Sequence, residues 1–105
     1  MNTQQLTYAD QAMQTLKHLQ LGCANGGSIE IGTVHFLAGQ RSPAEGATTH
    51  HHKEVSLVLT GLLEVTSGGV KHTVGAGSLL EIPPGEEHYT MVLQNSKVLY
   101  LMIDT

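Results

Sequence analysis

The stretch Gly77-Ser-Leu-Leu-Glu-Ile-Pro-Pro-Gly-Glu-Glu-His88 decides the fold. Residues 78–82 read as a short strand, ended by Pro83-Pro84-Gly85. The prolines fix φ and remove amide donors, and Gly85 lets the backbone bend tightly. A stiff turn of this kind holds His88, at the start of the next strand, toward the interior.

Upstream lies a second dense stretch, Thr48-Thr-His-His-His-Lys-Glu-Val-Ser-Leu-Val-Leu-Thr-Gly61. His50, His52 and Glu54 alternate, so an extended strand points them to one face. Imidazole nitrogens and a carboxylate oxygen suit a divalent first-row metal. Residues two apart on a strand are separated by about 6.6 Å and residues four apart by about 13 Å. His50 and Glu54 therefore share a metal only if the chain bends between them. The plain alternative is a solvated polar loop carrying a chance histidine run.

Outward from these stretches the chain reads as short strands and turns. Ile29 and Ile31 alternate with polar residues, then Val34 and Phe36 carry the apolar face in the opposite parity, which suggests a bulge at Gly32. Residues 54–60 form a strand, Gly61 a turn, and residues 62–66 another strand. Ser67-Gly68-Gly69 is a hairpin loop followed by the alternating run from Val70 to Val74. Residues 88–93 and 97–103 form a last pair joined near Gln94-Asn95-Ser96. About seven short strands with Gly-rich turns and no long helix between them argue for an all-β sandwich or small barrel. Before Ser28, Tyr8, Ala12, Leu16 and Leu19 stand at helical spacing behind Thr7 as N-cap, which predicts a short N-terminal helix. The expected division is a segment over 1–27 and a barrel domain over 28–105.

A chain of 105 residues is one domain able to bury a real core. Its net charge of −4, with Arg41 as the sole arginine, disfavours nucleic-acid binding. No apolar run reaches the length of a membrane helix, and no signal-peptide pattern opens the chain. The single cysteine, Cys23, has no internal disulfide partner and reads as a small packed residue, which fits a reducing cytoplasm.

The two quoted stretches resemble the paired motifs of the cupin superfamily, in its small, RmlC-like form. Gly, five residues, Pro, one residue, Gly, two residues, His is matched in full by Gly77, Pro83, Gly85 and His88. The end of the other motif, Glu, six residues, Gly, is matched by Glu54 and Gly61. Two positions depart from the pattern. Thr48 stands where the family has the first histidine, and Val92 where it usually has asparagine. The resemblance spans residues 34–103 and implies an antiparallel jelly-roll barrel, the double-stranded β-helix, holding one divalent metal such as Fe, Mn, Ni or Zn. Carried over, it places ligands at His50, Glu54 and His88. A more compact register adds His52 in place of the ligand missing at Thr48, giving His50, His52, Glu54 and His88. His51 has the opposite parity and is expected to face solvent, as is His72. His35 is read as structural, and Tyr89 as packing on the face opposite His88. Arg41 reads as a solvated loop residue, with an anionic substrate as its functional alternative.

What the resemblance implies about function is a metal-dependent enzyme acting on a small organic molecule, as a dioxygenase, decarboxylase, isomerase or lyase. The alternatives are a non-catalytic cupin that binds or senses a metal or small ligand, and a metal-free structural cupin dimer. Exposed edge strands and the resemblance together lead to an expected homodimer.

Overall fold

In a computed structural model that describes residues 1–104, seven strands carry the chain: β1 (Thr15–Gly22), β2 (Ser28–Phe36), β3 (Arg41–Ser42), β4 (Lys53–Ser67), β5 (Val70–Gly75), β6 (Leu79–Ile82) and β7 (His88–Asp104). The hydrogen-bonded order is β1-β2-β7-β4-β5, with β3 paired to β7 and β6 to β4. Every pairing is antiparallel. This is an all-β jelly-roll, as expected.

Two expected pairs of strands prove to be two long, bent ones. Residues 54–66 do not break at Gly61. They run through β4, with register shifts against β7 between Val58 and Leu63. Likewise Gln94-Asn95-Ser96 is no turn but part of β7. Ser96 is buried at this bend, where its hydroxyl accepts from the Leu62 amide at 3.0 Å and donates to the Gln94 carbonyl at 2.7 Å. The shifts change the inward parity of β4. Glu54, Ser56 and Val58 face inward before the bend, Leu63 and Val65 after it. Periodicity alone registers such a change as a strand end.

The N-terminal helix is also corrected. No helix occurs among the described residues. Thr15 to Gly22 instead pairs with β2, Leu19 opposite Ile31 and Leu21 opposite Ile29. Backbone bonds to the open edge of β2 outweigh a weak helical pattern. The preceding residues cross the outer side of β2. The His18 ring and the Thr33 hydroxyl both donate to the Thr7 carbonyl, and His35 Nε2 donates to the Ala9 carbonyl at 2.9 Å. His35 therefore faces outward and anchors this strap, in keeping with a structural role. His72 is exposed.

A register shift does fall at Gly32, where a bulge was expected, but the extra residue is on β1. Lys17 pairs with Gly32 and Leu19 with Ile31, which leaves His18 over, while β2 pairs with β7 in unbroken register. The two apolar parities of β2 serve two faces. Val34 packs inside with Val58, Leu63, Val65, Val92 and Val98. Ile29 and Ile31 lie on the outer face, in register with Ile103 and Leu101 of β7, and Val55 of β4 continues the row beside Leu101. Gly32 has another purpose, since the Tyr100 ring and hydroxyl lie where a Cβ would project.

Candidate metal centre

The bend required between His50 and Glu54 is present. His51 and His52 form it, and β4 begins at Lys53. The two motif segments are tied directly by backbone. Thr48 and His88 exchange hydrogen bonds at 2.8 and 2.9 Å, and the Gly85 amide donates to the His50 carbonyl at 2.9 Å. Gly85 makes that turn at φ 77°, a conformation that costs glycine little. Thr48, which departs from the family histidine, thus contributes through its main chain by fixing the start of β7.

These ties gather three side chains. His50 Nε2 lies 3.5 Å from Glu54 Oε1, and His88 Nε2 lies 3.9 Å from the same oxygen. The two imidazoles meet edge to face with centroids 5.0 Å apart. One ligand atom from each residue falls within 4.8 Å of the others. The cluster is largely withdrawn from water, with side-chain exposures of 19, 16 and 11% for His50, Glu54 and His88.

The rest of the hydrogen bonding orients the set. His50 Nδ1 donates to the His52 carbonyl at 2.9 Å, and His88 Nδ1 donates to the Glu86 carbonyl at 3.0 Å. Each ring then presents an Nε2 lone pair toward Glu54. The other carboxylate oxygen, Oε2, accepts from the Ser56 hydroxyl at 3.0 Å. His50 Nε2 is buried and has no hydrogen-bond partner. A buried polar atom left unpaired is costly. Three electron-pair donors face one another, and a divalent cation satisfies all three at bond lengths of about 2.0–2.2 Å after a small contraction. The residues fit a metal, with outer hydrogen bonds of the kind that steady metal-binding imidazoles.

His52 is not part of this set. Its carbonyl holds His50, while its ring lies against that of His51, centroids 4.0 Å apart, near Asp104. The compact register needs an extended 50–54 segment, and the bend turns the His52 side chain away. His51 is 74% exposed. Tyr89 packs beneath the Arg41 guanidinium, 4.2 Å from ring centroid to Cζ, and Arg41 also donates to the Pro43 carbonyl at 2.9 Å. Arg41 is therefore a half-buried packing residue in β3 rather than a solvated loop residue.

Glu54 and His88 sit in the wall of a cavity of about 140 Å³ inside the barrel. The remaining wall is mostly apolar, with Met13, Phe36, Leu80 and Met102 among its residues. Tyr100 and Thr15 also line it, and the sequence reading missed them. The Tyr100 hydroxyl donates to Glu30 Oε2 at 2.7 Å. Burial first, then the bond to Glu30 and its negative charge, push the Tyr100 hydroxyl up to about 12. The register that places Tyr100 opposite both Gly32 and Ser56 is what makes the pair, and the only local signal was a glycine within a strand.

Comparison with known proteins agrees with this architecture. The family model described as "Cupin domain" matches residues 32–104. A conserved protein of unknown function from Streptococcus pyogenes, SPY1581, superposes with a TM-score of 0.74 at 17% identity, covering 95% of this chain and 81% of its own. An RmlC-like cupin from Shewanella frigidimarina superposes with a TM-score of 0.66 at 17% identity, covering 98% and 93%. The DMSP lyase DddQ from Ruegeria pomeroyi gives a TM-score of 0.62 at 22% identity, covering 70% of this chain but 37% of the lyase. No curated protein matches. On the family match, borne by strands that pair as a jelly-roll around the His50, Glu54 and His88 cluster, this chain belongs to the cupin family.

Proposed function

We propose that the chain is a metal-dependent cupin enzyme acting on a small organic molecule, with His50, Glu54 and His88 holding one divalent ion. The observation that carries this reading is the buried, unpartnered Nε2 of His50, aimed at Glu54 Oε1 beside His88. Two imidazoles and one carboxylate leave coordination positions open, and such a metal supplies Lewis acidity toward a carbonyl or carboxylate oxygen. The chain's own contribution is arrangement. Ser56 directs one oxygen of Glu54, backbone carbonyls fix both imidazole tautomers, and apolar walls exclude water from a bound molecule. Likeness to the lyase supports an enzymatic role, and the reaction is to be assigned by experiment because the fold serves many chemistries.

The test is metal content and oxygen uptake or substrate turnover, measured on protein purified without an affinity tag. Bound metal lost together with turnover in His88→Ala supports the enzyme reading. Bound metal without turnover of any tested substrate leaves a binding or sensing cupin, and protein lacking metal after supply with Fe, Mn, Ni and Zn refutes the centre. We also propose that the protein works as a homodimer. The apolar outer face supports this, with Leu19 and Leu21 each more than two-fifths exposed beside Ile29, Ile31, Leu101 and Ile103.

A further inference from the structure

Outside the barrel, the same histidine run supplies a second set of donors. The pairing of Lys53 with Ile103 brings the end of β7 alongside the bend that precedes β4. Asp104, one residue further, thereby comes next to His51 and His52. His51 Nε2 lies 3.8 Å from Asp104 Oδ2, and one ligand atom from each of the three residues falls within 4.8 Å of the others. Consecutive strand residues would point to opposite faces. His51 and His52 escape that rule because they sit in the bend.

We propose that His51, His52 and Asp104 form a second, surface site for a divalent first-row cation. The donor chemistry is two imidazoles and a carboxylate, which suits Zn²⁺, Ni²⁺ or Cu²⁺ better than Mg²⁺ or Ca²⁺. His51 and Asp104 are 74 and 46% exposed, so the ion keeps water in its remaining positions and the rings turn into place at little cost. The nearest cationic side chain in sequence, Lys53, is already paired with Glu81 at 3.1 Å and so does not compete for Asp104. The surface site stands whether or not the inner centre is occupied. The two nevertheless share one backbone segment, because His50 Nδ1 donates to the carbonyl of His52.

The experiment is calorimetric titration of Zn²⁺ into the full 105-residue chain, purified without a tag and stripped of metal. His51→Ala and Asp104→Asn are each expected to weaken one class of binding by at least about tenfold, since loss of outer hydrogen-bonding groups alone costs about that much. Neither should alter the class that His88→Ala removes. Because the first two changes lie at exposed positions, circular dichroism should match that of the parent chain. Binding by either variant that is indistinguishable from the parent's overturns the surface site. If His88→Ala changes nothing while His51→Ala still removes a class, the surface site holds and the inner centre is the reading that fails.

Discussion

Two polar groups reach the same cavity, Tyr100 directly and the histidine cluster through Glu54 and His88, and they differ in how they are satisfied. Tyr100 has its partner, since its hydroxyl donates to Glu30 above a glycine that leaves room for it. The His50, Glu54 and His88 cluster is held as firmly by its outer hydrogen bonds, yet it turns three lone-pair donors toward a common point and leaves His50 Nε2 with no partner. A satisfied pair stabilises the barrel by itself. A set of donors that is braced from behind and unpaired in front leaves the cost of a buried unpaired atom standing, which a bound cation would remove. That contrast separates a structural polar group from a binding one more sharply than burial does, because both are withdrawn from water.

The contrast can be broken most directly at the ligands. His88→Ala or Glu54→Ala should lower metal affinity by roughly 100-fold or more, measured by competition with a chelator, since outer hydrogen-bonding groups alone are worth about 10–100-fold. Equal affinity in both variants and the parent would remove the distinction. Ser56→Ala tests the bracing. It takes away the donor to Glu54 Oε2 and should weaken the metal by about tenfold while leaving the metal count at saturation unchanged.

Tyr100→Phe probes the other member of the comparison. It should leave metal affinity intact but lower stability by about 1–3 kcal/mol in denaturant unfolding, because a carboxylate loses its donor. The pH dependence has a definite sign. A tyrosine whose folded value is raised from 10.0 to about 12 contributes stability that is complete below pH 10 and is lost as pH rises toward 12. Tyr100→Phe should flatten unfolding stability across that window, and an unchanged slope would show that Tyr100 is not the group responsible. The smallest effect is expected from His52→Ala. The inner centre should keep its affinity within a factor of two or three, because the His52 carbonyl and not its ring holds His50. On the outer face, Ile31→Lys should convert a dimer to a monomer in light scattering, and an unaffected dimer would place the contact elsewhere.

The sequence by itself determined more of this protein than its helical pattern near the N-terminus suggested. Gly-rich turns between alternating apolar runs pointed to an all-β sandwich or small barrel, and the resemblance carried by Gly77, Pro83, Gly85 and His88 chose the barrel and marked the turn that starts β7 at His88. Glu54 was legible from strand alternation, and His88 from the resemblance of its turn to the second cupin motif, because proline, glycine and alternation are local constraints. What the tertiary structure decided is everything that depends on a partner strand. Residues 15–22 became β1 because β2 offered an open edge. The register shifts joined two expected strands into β4, and the long pairing of β4 with β7 carried β7 through Ser96. The bend at His51 and His52 chose His50 for the interior and sent His52 outward, a choice that alternation could not make. Tyr100 and Glu30 lie 70 residues apart, and only the alignment of β2 on β7 brings them together. Side-chain period is a property of the segment, whereas register, bends and the pairing of buried polar atoms are properties of the closed barrel.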